Sequence, residues 1–272
     1  MPLRTNKYLV KLFLLTVLII QSCLSLLAQE TDTIIPIDKD PEKILRKIDI
    51  REIARDGLNF WQDKFTGHWA GVDFGFNMFL KENYEGYDYE FMENDIFRSN
   101  STYINLIQQS ISLQRYQNTI GLVTGLGMHF QSYRLDDNTT IKRLENDVIV
   151  PEKLYFDDNQ KSKLSIFSLN IPLLAEFQIP VNHFDNRIYF SGGMYMGVRL
   201  TSHTKIKYRK EQKEKLKVPD HYSLQDFKYG LMFRTGYRWI NVFATYELTP
   251  LFKNDKGPHL TPFTFGITLI SF

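Results

Sequence analysis

The last stretch of the chain, His259 to Phe272, alternates apolar and polar residues and ends on an aromatic side chain. Its apolar positions share one face: Phe263, Phe265, Ile267 and Leu269. A period of two is typical of a β-strand with one apolar and one polar side. Alternation here constrains the fold strongly, because a terminal strand is an exposed edge unless it pairs with the first strand of a closed barrel.

Seven other segments have the same period, and with the last one they predict eight strands. The predicted strands are Gly67 to Leu80, Thr102 to Leu113, Ile120 to Arg134, Leu164 to Gln178, Arg187 to Arg209, Phe227 to Tyr237, Ile240 to Leu248 and His259 to Phe272. In the second strand apolar residues occupy both parities, so its inward face stays undecided.

The connections between these strands alternate in length. Residues 81–101, 135–163 and 210–222 are long, residues 114–118, 180–186 and 238–239 are short, and residues 253–258 are intermediate. Alternate connections of an antiparallel ring lie at the same end, so the long ones gather together. Short periplasmic turns and long outer loops are typical of an outer-membrane barrel.

The polar face of the strands separates a membrane barrel from a soluble, lipocalin-like one. Its charged and strongly polar members are Asp73, Asn77, His129, Glu176, Arg199, Lys228, Arg234 and Glu247. Glycines, Tyr189 and Tyr195 lie between them, as a narrow, filled interior requires. The sequence therefore predicts an all-β fold over residues 67–272: an eight-stranded antiparallel transmembrane up-and-down β-barrel in the outer membrane.

The lumen face carries three acids and three bases: Asp73, Glu176, Glu247, Arg199, Lys228 and Arg234. These charges should pair, because an isolated buried charge loses its hydration.

The amino terminus has the pattern of a secretory signal peptide over residues 1–28. Basic residues precede an uncharged run from Leu12 to Ile20, and Ala28 offers a cleavage site. The alternative to cleavage after Ala28 is lipidation of Cys23, the only cysteine. Removal of the segment leaves 30 basic against 31 acidic residues, so nothing predicts nucleic-acid binding.

Residues 29–66 are predicted to be a periplasmic segment with a short amphipathic helix. Asp40-Pro41-Glu42 forms a cap and first turn, and apolar residues follow at helical spacing to about residue 55. The helix is expected under the barrel mouth. A membrane-surface or partner-binding helix is the alternative, although its charges are mixed rather than basic.

Several motifs resemble the PorT-like outer-membrane β-barrel family of Bacteroidota. They are Gly67-His68-Trp69-Ala70-Gly71 with Gly75 and Asn77, the run GLVTGLG at 121–127 with Tyr133, Asn170-Ile171-Pro172-Leu173, and Gly257-Pro258. The resemblance covers roughly residues 60–272 and implies an eight-stranded barrel in the outer membrane. The member that names the family is associated with a protein secretion and gliding apparatus, while most members have no assigned activity.

Two features invite a search for chemistry inside the barrel. The run Gly121-x-x-x-Gly125-x-Gly127 superficially matches a phosphate loop, but it lacks the following Lys-Ser/Thr and lies within a strand. These glycines are therefore expected to relieve crowding in the lumen. The six histidines form no HxH or HExxH pattern, so neither a metal nor another cofactor is predicted.

Two features belong to the outer rim. Ser202, His203 and Asp220 or His221 could supply a nucleophile and base, or they could be ordinary loop polarity. Lysines and one arginine also make the third long loop basic: Lys205, Lys207, Arg209, Lys210, Lys213, Lys215 and Lys217. The basic loop is either simply solvated or in contact with lipopolysaccharide phosphates.

The expected function is that of a non-enzymatic outer-membrane barrel with a structural, assembly or secretion-associated role in the envelope, and without catalytic residues. The alternative is a lipid-modifying enzyme with its site at the extracellular rim. Expected partners are outer-membrane lipids and lipopolysaccharide, the barrel assembly machinery during insertion, and secretion or envelope proteins. A pore is disfavoured, because eight strands leave an interior just wide enough for side chains.

Overall fold

The computed structural model of the chain describes residues 65–92, 95–114, 118–136, 138–155, 160–181, 186–209 and 213–271. Its strands are β1 Gly71–Asn83, β2 Asn100–Ser112, β3 Ile120–Arg134, β4 Thr139–Arg143, β5 Ile149–Lys153, β6 Lys161–Pro180, β7 Arg187–Arg209, β8 Lys213–Pro219, β9 Phe227–Tyr237, β10 Ile240–Glu247 and β11 His259–Ser271. The predicted signal peptide and amphipathic helix lie outside the described residues. Within those residues, no helix is long and apolar enough to span a membrane.

Eight of these strands form a closed antiparallel ring in the order β1, β2, β3, β6, β7, β9, β10 and β11. The ring closes because β11 pairs with β1, from Gly71 opposite Ser271 to Asn83 opposite His259. The last strand therefore has no free edge, and the predicted eight-stranded barrel is confirmed. The bounds of β3, β7 and β9 are those predicted.

Three strands lie outside the ring and correct the expectation of plain long loops. β4 and β5 form a separate hairpin between β3 and β6, and β8 pairs with the far part of β7. Residues 213–219 are thus a strand rather than loop. We call the end that carries these hairpins the long-loop end, and the opposite end the short-turn end.

The two faces of the ring differ in polarity, as the alternation predicts. Large apolar side chains remain exposed on the outside: Ile171, Leu173, Phe177, Met194, Met196, Val198, Leu231, Phe233, Phe265, Ile267 and Leu269. Asp73, Asn77, His129, Glu176 and Arg234 are buried inside. Contiguous exposed apolar surface of this kind is tolerated where the solvent is lipid.

A β-bulge decides the facing of β2, which the sequence left open. The register with β3 shifts between Asn105 and Ile107, so that Leu106 is the extra residue. Tyr103 and Asn105 face inward before the bulge, and Gln108 and Ser110 face inward after it. Apolar residues occupy both parities because the strand changes parity in the middle.

An apolar core fills the long-loop end, and we call it the outer cap. Its buried members come from strand ends and loops: Phe79, Phe91, Met92, Tyr133, Leu135, Ile141, Ile149, Leu164, Ile166, Tyr222, Leu224, Leu251, Phe252 and Leu260. Phe79 stacks on Tyr133 with ring centroids 5.1 Å apart. The hydroxyl of Tyr87 donates to the carbonyl of Ile149 at 2.9 Å, which joins the first long loop to β5.

Candidate functional site

A buried ion pair crosses the middle of the lumen. Arg234 on β9 donates from both terminal nitrogens to Asp73 on β1, at 2.7 and 3.0 Å. The Asp73 carboxylate also accepts from Thr268 at 2.7 Å and from the Asn105 amide at 2.9 Å. The two charged side chains are 2% and 1% exposed. A bidentate pair with further donors satisfies the carboxylate without water.

A second pair lies nearer the long-loop end. The Lys228 ammonium is 3.2 Å from the Glu247 carboxylate and donates to the Gln131 side-chain carbonyl at 2.8 Å. It also lies 3.0 Å from Nδ1 of His129, whose ring stacks on Tyr103 at 3.8 Å. Two of the three expected acid-base pairs are thus formed by residues on the predicted lumen face.

The remaining acid and base of the predicted lumen face, Glu176 and Arg199, do not pair with each other. Glu176 is opposite Ser191 on β7, and Arg199 is eight residues further along that strand, near the long-loop end. Glu176 instead accepts from the His68 ring at 2.7 Å, and Arg199 pairs with Asp226. Neither partner was identified from the sequence. His68 lies at the start of the first predicted strand, before the observed strand begins at Gly71, and Asp226 immediately precedes β9.

Residues 65–70 form a plug across the short-turn end, where the sequence predicted the start of the first strand. The side chain of Gln108 accepts from the amides of Trp69 and Ala70, both at 2.7 Å, and donates to the carbonyl of Gly67 at 2.9 Å. The His68 ring stacks on Tyr189 at 4.3 Å. The strand therefore begins only at Gly71, after residues that pack inside the barrel against β2 and β3.

The glycines of β3 make room for this plug. A Cβ at Gly121 would come within 2.4 Å of the Phe65 ring, and one at Gly125 within 2.5 Å of the Trp69 ring. As predicted, these glycines relieve crowding in the lumen rather than cradle a phosphate. A run of inward glycines leaves a void that bulky side chains must fill, and this is the signal that could have predicted the plug.

The rim residues do not assemble into a nucleophile and base. Ser202 faces inward and donates to the carbonyl of Asp220 at 2.6 Å, while His203, next to it on β7, faces the opposite side of the sheet. The carboxylate of Asp220 is held by Arg143 at 3.1 Å. The ring of His221 accepts from the amide of Ser223 at 3.2 Å. Ser202, Asp220 and His221 thus serve local loop structure.

The outer surface also has an open cleft of about 1010 Å³ between the first long loop, β5 and the last connection. Tyr87, Asp88, Lys153 and His259 are among its lining residues. Among the described residues, no group of three His, Cys, Asp or Glu side chains is arranged to hold a metal ion.

A closed ring of eight strands with a lipid-compatible outside and a polar, filled inside defines an outer-membrane β-barrel. Residues 62–255 match the family model described as the outer membrane protein beta-barrel domain. The match covers most of the chain, so the chain belongs to this family, and the protein is located in the outer membrane. The long-loop end is accordingly the outer end.

Among solved structures, the chain is similar to Ail, the attachment invasion locus protein of Yersinia pestis, at 13% identity. The similarity covers 75% of this chain and 100% of that one, with a TM-score of 0.25. The search of curated proteins gives no match.

Proposed function

We propose that this protein is a non-conducting, non-catalytic barrel with a structural, assembly or secretion-associated role in the envelope. The observation that carries the proposal is a lumen filled along its length by the chain's own side chains. Phe65 and Trp69 occupy the short-turn end, Asp73 and Arg234 the middle, and the outer cap the long-loop end. A cavity of about 20 Å³ below the outer cap has room for about one water.

A filled lumen directs the proposed function to the surfaces of the barrel. The proposed partners are outer-membrane lipids and lipopolysaccharide, the barrel assembly machinery during insertion, and secretion or envelope proteins that meet the loops. The PorT-like resemblance of the motifs at 67–71 and 121–127 supports a secretion-associated role within this range. The open cleft beside Tyr87 and Asp88 offers one surface for such contacts.

Planar-bilayer recording tests the non-conducting part of the proposal. The purified protein should give no large, stable conductance, because the buried Arg234–Asp73 pair occupies the middle of the lumen. A stable open level in the wild-type protein would contradict the proposal. A variant without residues 65–70 is the matched comparison, since it vacates only the short-turn end.

Mass spectrometry of lipid A tests the non-catalytic part. Deletion and complemented strains should give the same acyl-chain profile, because Ser202 and His203 face opposite sides of β7. An acyl-chain difference that disappears in the His203→Ala variant would establish the lipid-modifying alternative. A secretion or envelope-integrity defect in the deletion strain, without a lipid A change, would support the proposed role.

A further inference from the structure

Six lysines form a compact array on the β7–β8 hairpin and on β6, the strand next to it. We call this array the lysine grid. The register with β7 aligns them in two rows of three across β6, β7 and β8: Lys163, Lys205 and Lys217 in one row, and Lys161, Lys207 and Lys215 in the other. Directly opposed residues of an antiparallel sheet share a face, with Cβ atoms about 5 Å apart. The two rows are separated by about 7 Å along the strands.

A bulge in β7 places this array on the outside of the barrel. Phe167 is opposite Thr201 while Ser168 is opposite Arg199, so Leu200 is the extra residue. Before the bulge Tyr195 faces inward, and after it Thr204 and Ile206 are buried. Lys205 and Lys207 therefore face outward. Without the extra residue they would face the lumen side.

The grid concentrates six positive charges on one face of the sheet. Among the described residues, none of the six lysines forms an ion pair, and Lys163 donates to the backbone carbonyl of Arg98 at 3.1 Å. Burial lowers the pKa of the Lys163 ammonium, and the nearby charges of Arg134, Lys207 and Lys205 lower it further. Like charges directly opposite each other destabilise a sheet, so an external anion would relieve this arrangement.

The grid lies just beyond the lipid-facing belt. On β6 and β7 the apolar surface ends at Phe167 and Leu200, and Phe167 stacks on Phe130 at 4.6 Å. Lys163 is four residues beyond Phe167, which is about 13 Å along the strand and less along the membrane normal, because barrel strands tilt. Flexible lysine side chains of this length bring their ammonium groups to the level of the lipid headgroups.

We propose that the lysine grid binds the phosphate groups of a phosphorylated glycolipid headgroup in the outer leaflet. A lysine ammonium is a point charge suited to phosphate, and the two rows can meet two phosphates on one headgroup. The apolar belt directly below accommodates the acyl chains. This inference deepens the lipid partner proposed above and rests on that part of the proposed function only.

Native mass spectrometry of the full chain in neutral detergent tests the inference, with bisphosphorylated lipid A as the probe. The Lys163→Gln/Lys205→Gln/Lys217→Gln variant should bind the lipid at least about tenfold more weakly. The matched control is Lys81→Gln/Lys142→Gln/Lys256→Gln, which removes the same charge from lysines elsewhere on the long-loop end and outside the open cleft. The control should change binding by no more than about twofold.

Competition and stability measurements complete the test. Inorganic phosphate and a soluble acidic polysaccharide should fail to displace the lipid, and displacement by either would overturn the assignment to a lipid. Equal losses in both triple variants would overturn the grid as the site.

In lipid-free detergent the grid variant should melt no lower than wild type, because repulsion between the lysines is removed. A lower melting temperature would indicate a structural role and contradict the proposal. Bilayer conductance and the lipid A profile do not depend on this result.

Discussion

The barrel lumen and the outer cap are two cores of one chain with opposite polarity. The lumen holds Asp73 and Arg234 at less than 3% exposure, whereas the cap packs Phe79, Tyr133 and Leu135. The difference follows from what surrounds each region. Lipid takes the apolar face of the strands, which leaves their polar face to fill the interior, while loops in water bury their apolar residues as a soluble protein does.

The largest expected effect is a difference in cysteine labelling between the long-loop end and the short-turn end of the barrel. A cysteine at Leu144, in the β4–β5 turn and 41% exposed, should react with an impermeant maleimide on whole cells. A cysteine at Arg238, in the short turn between β9 and β10, should react only after lysis. The opposite pattern would place the apolar core in the periplasm and break the comparison.

The next largest effect is expected in the lumen. Arg234→Ala strands the Asp73 carboxylate in the interior, at a cost of about 3 to 5 kcal/mol where burial is complete. The folded, fast-migrating form on unboiled gels should therefore disappear at a lower temperature. Val242→Ala removes lipid-facing atoms and is the matched control with a small effect. A larger shift for the control than for Arg234→Ala would mean that the two faces are assigned the wrong way round.

A smaller and more local effect is expected in the outer cap. Leu135→Ala removes a fully buried side chain and should destabilise the cap by about 2 to 3 kcal/mol, the low end for such a deletion because loops can partly close the cavity. Proteases added to whole cells should cut the long loops faster. The gel transition of the barrel should stay within the range of the Val242→Ala control, and a fall as large as that of Arg234→Ala would show that the two cores unfold together.

The smallest effect is a loosening of the cap in acid. Arg143 lies 2.6 Å from Asp147 and 3.1 Å from Asp220, which ties the β4–β5 hairpin to the residues after β8. The hydrogen bond from Arg143 lowers the pKa of Asp147. Burial is the largest single influence on the pKa of Asp220 and raises it, but Arg143 and His221 together lower that pKa below its usual value. The tether is complete above the unfolded value of 3.8 and is lost as pH falls through the lowered folded pKa.

Hydrogen exchange of residues 139–153, corrected for intrinsic rates, measures this loosening. Protection should fall between about pH 5 and about pH 3 in the wild type. The Arg143→Gln variant should be less protected at both values and should change less between them. An equal fall in both proteins would assign the acid response to other carboxylates.

The alternation alone determined how many strands the ring has and which residues of β6, β9 and β11 face lipid. Phe177, Leu231 and Ile267 are exposed as predicted, and Glu176 and Arg234 are buried as predicted. This information is local, because a strand between lipid and a filled lumen needs a change of polarity at every step. The same reasoning placed the glycines of β3 inside, although it did not identify what fills the space beside them.

Only the tertiary structure decided the register, the bulges and the partners across the lumen. The extra residues Leu106 and Leu200 change the facing of everything after them, and no period within one strand records where a register shift occurs. Glu176 meets His68 across 108 positions of sequence. Such contacts depend on how the closed ring brings distant segments together, whereas the period of a strand depends only on its own two faces.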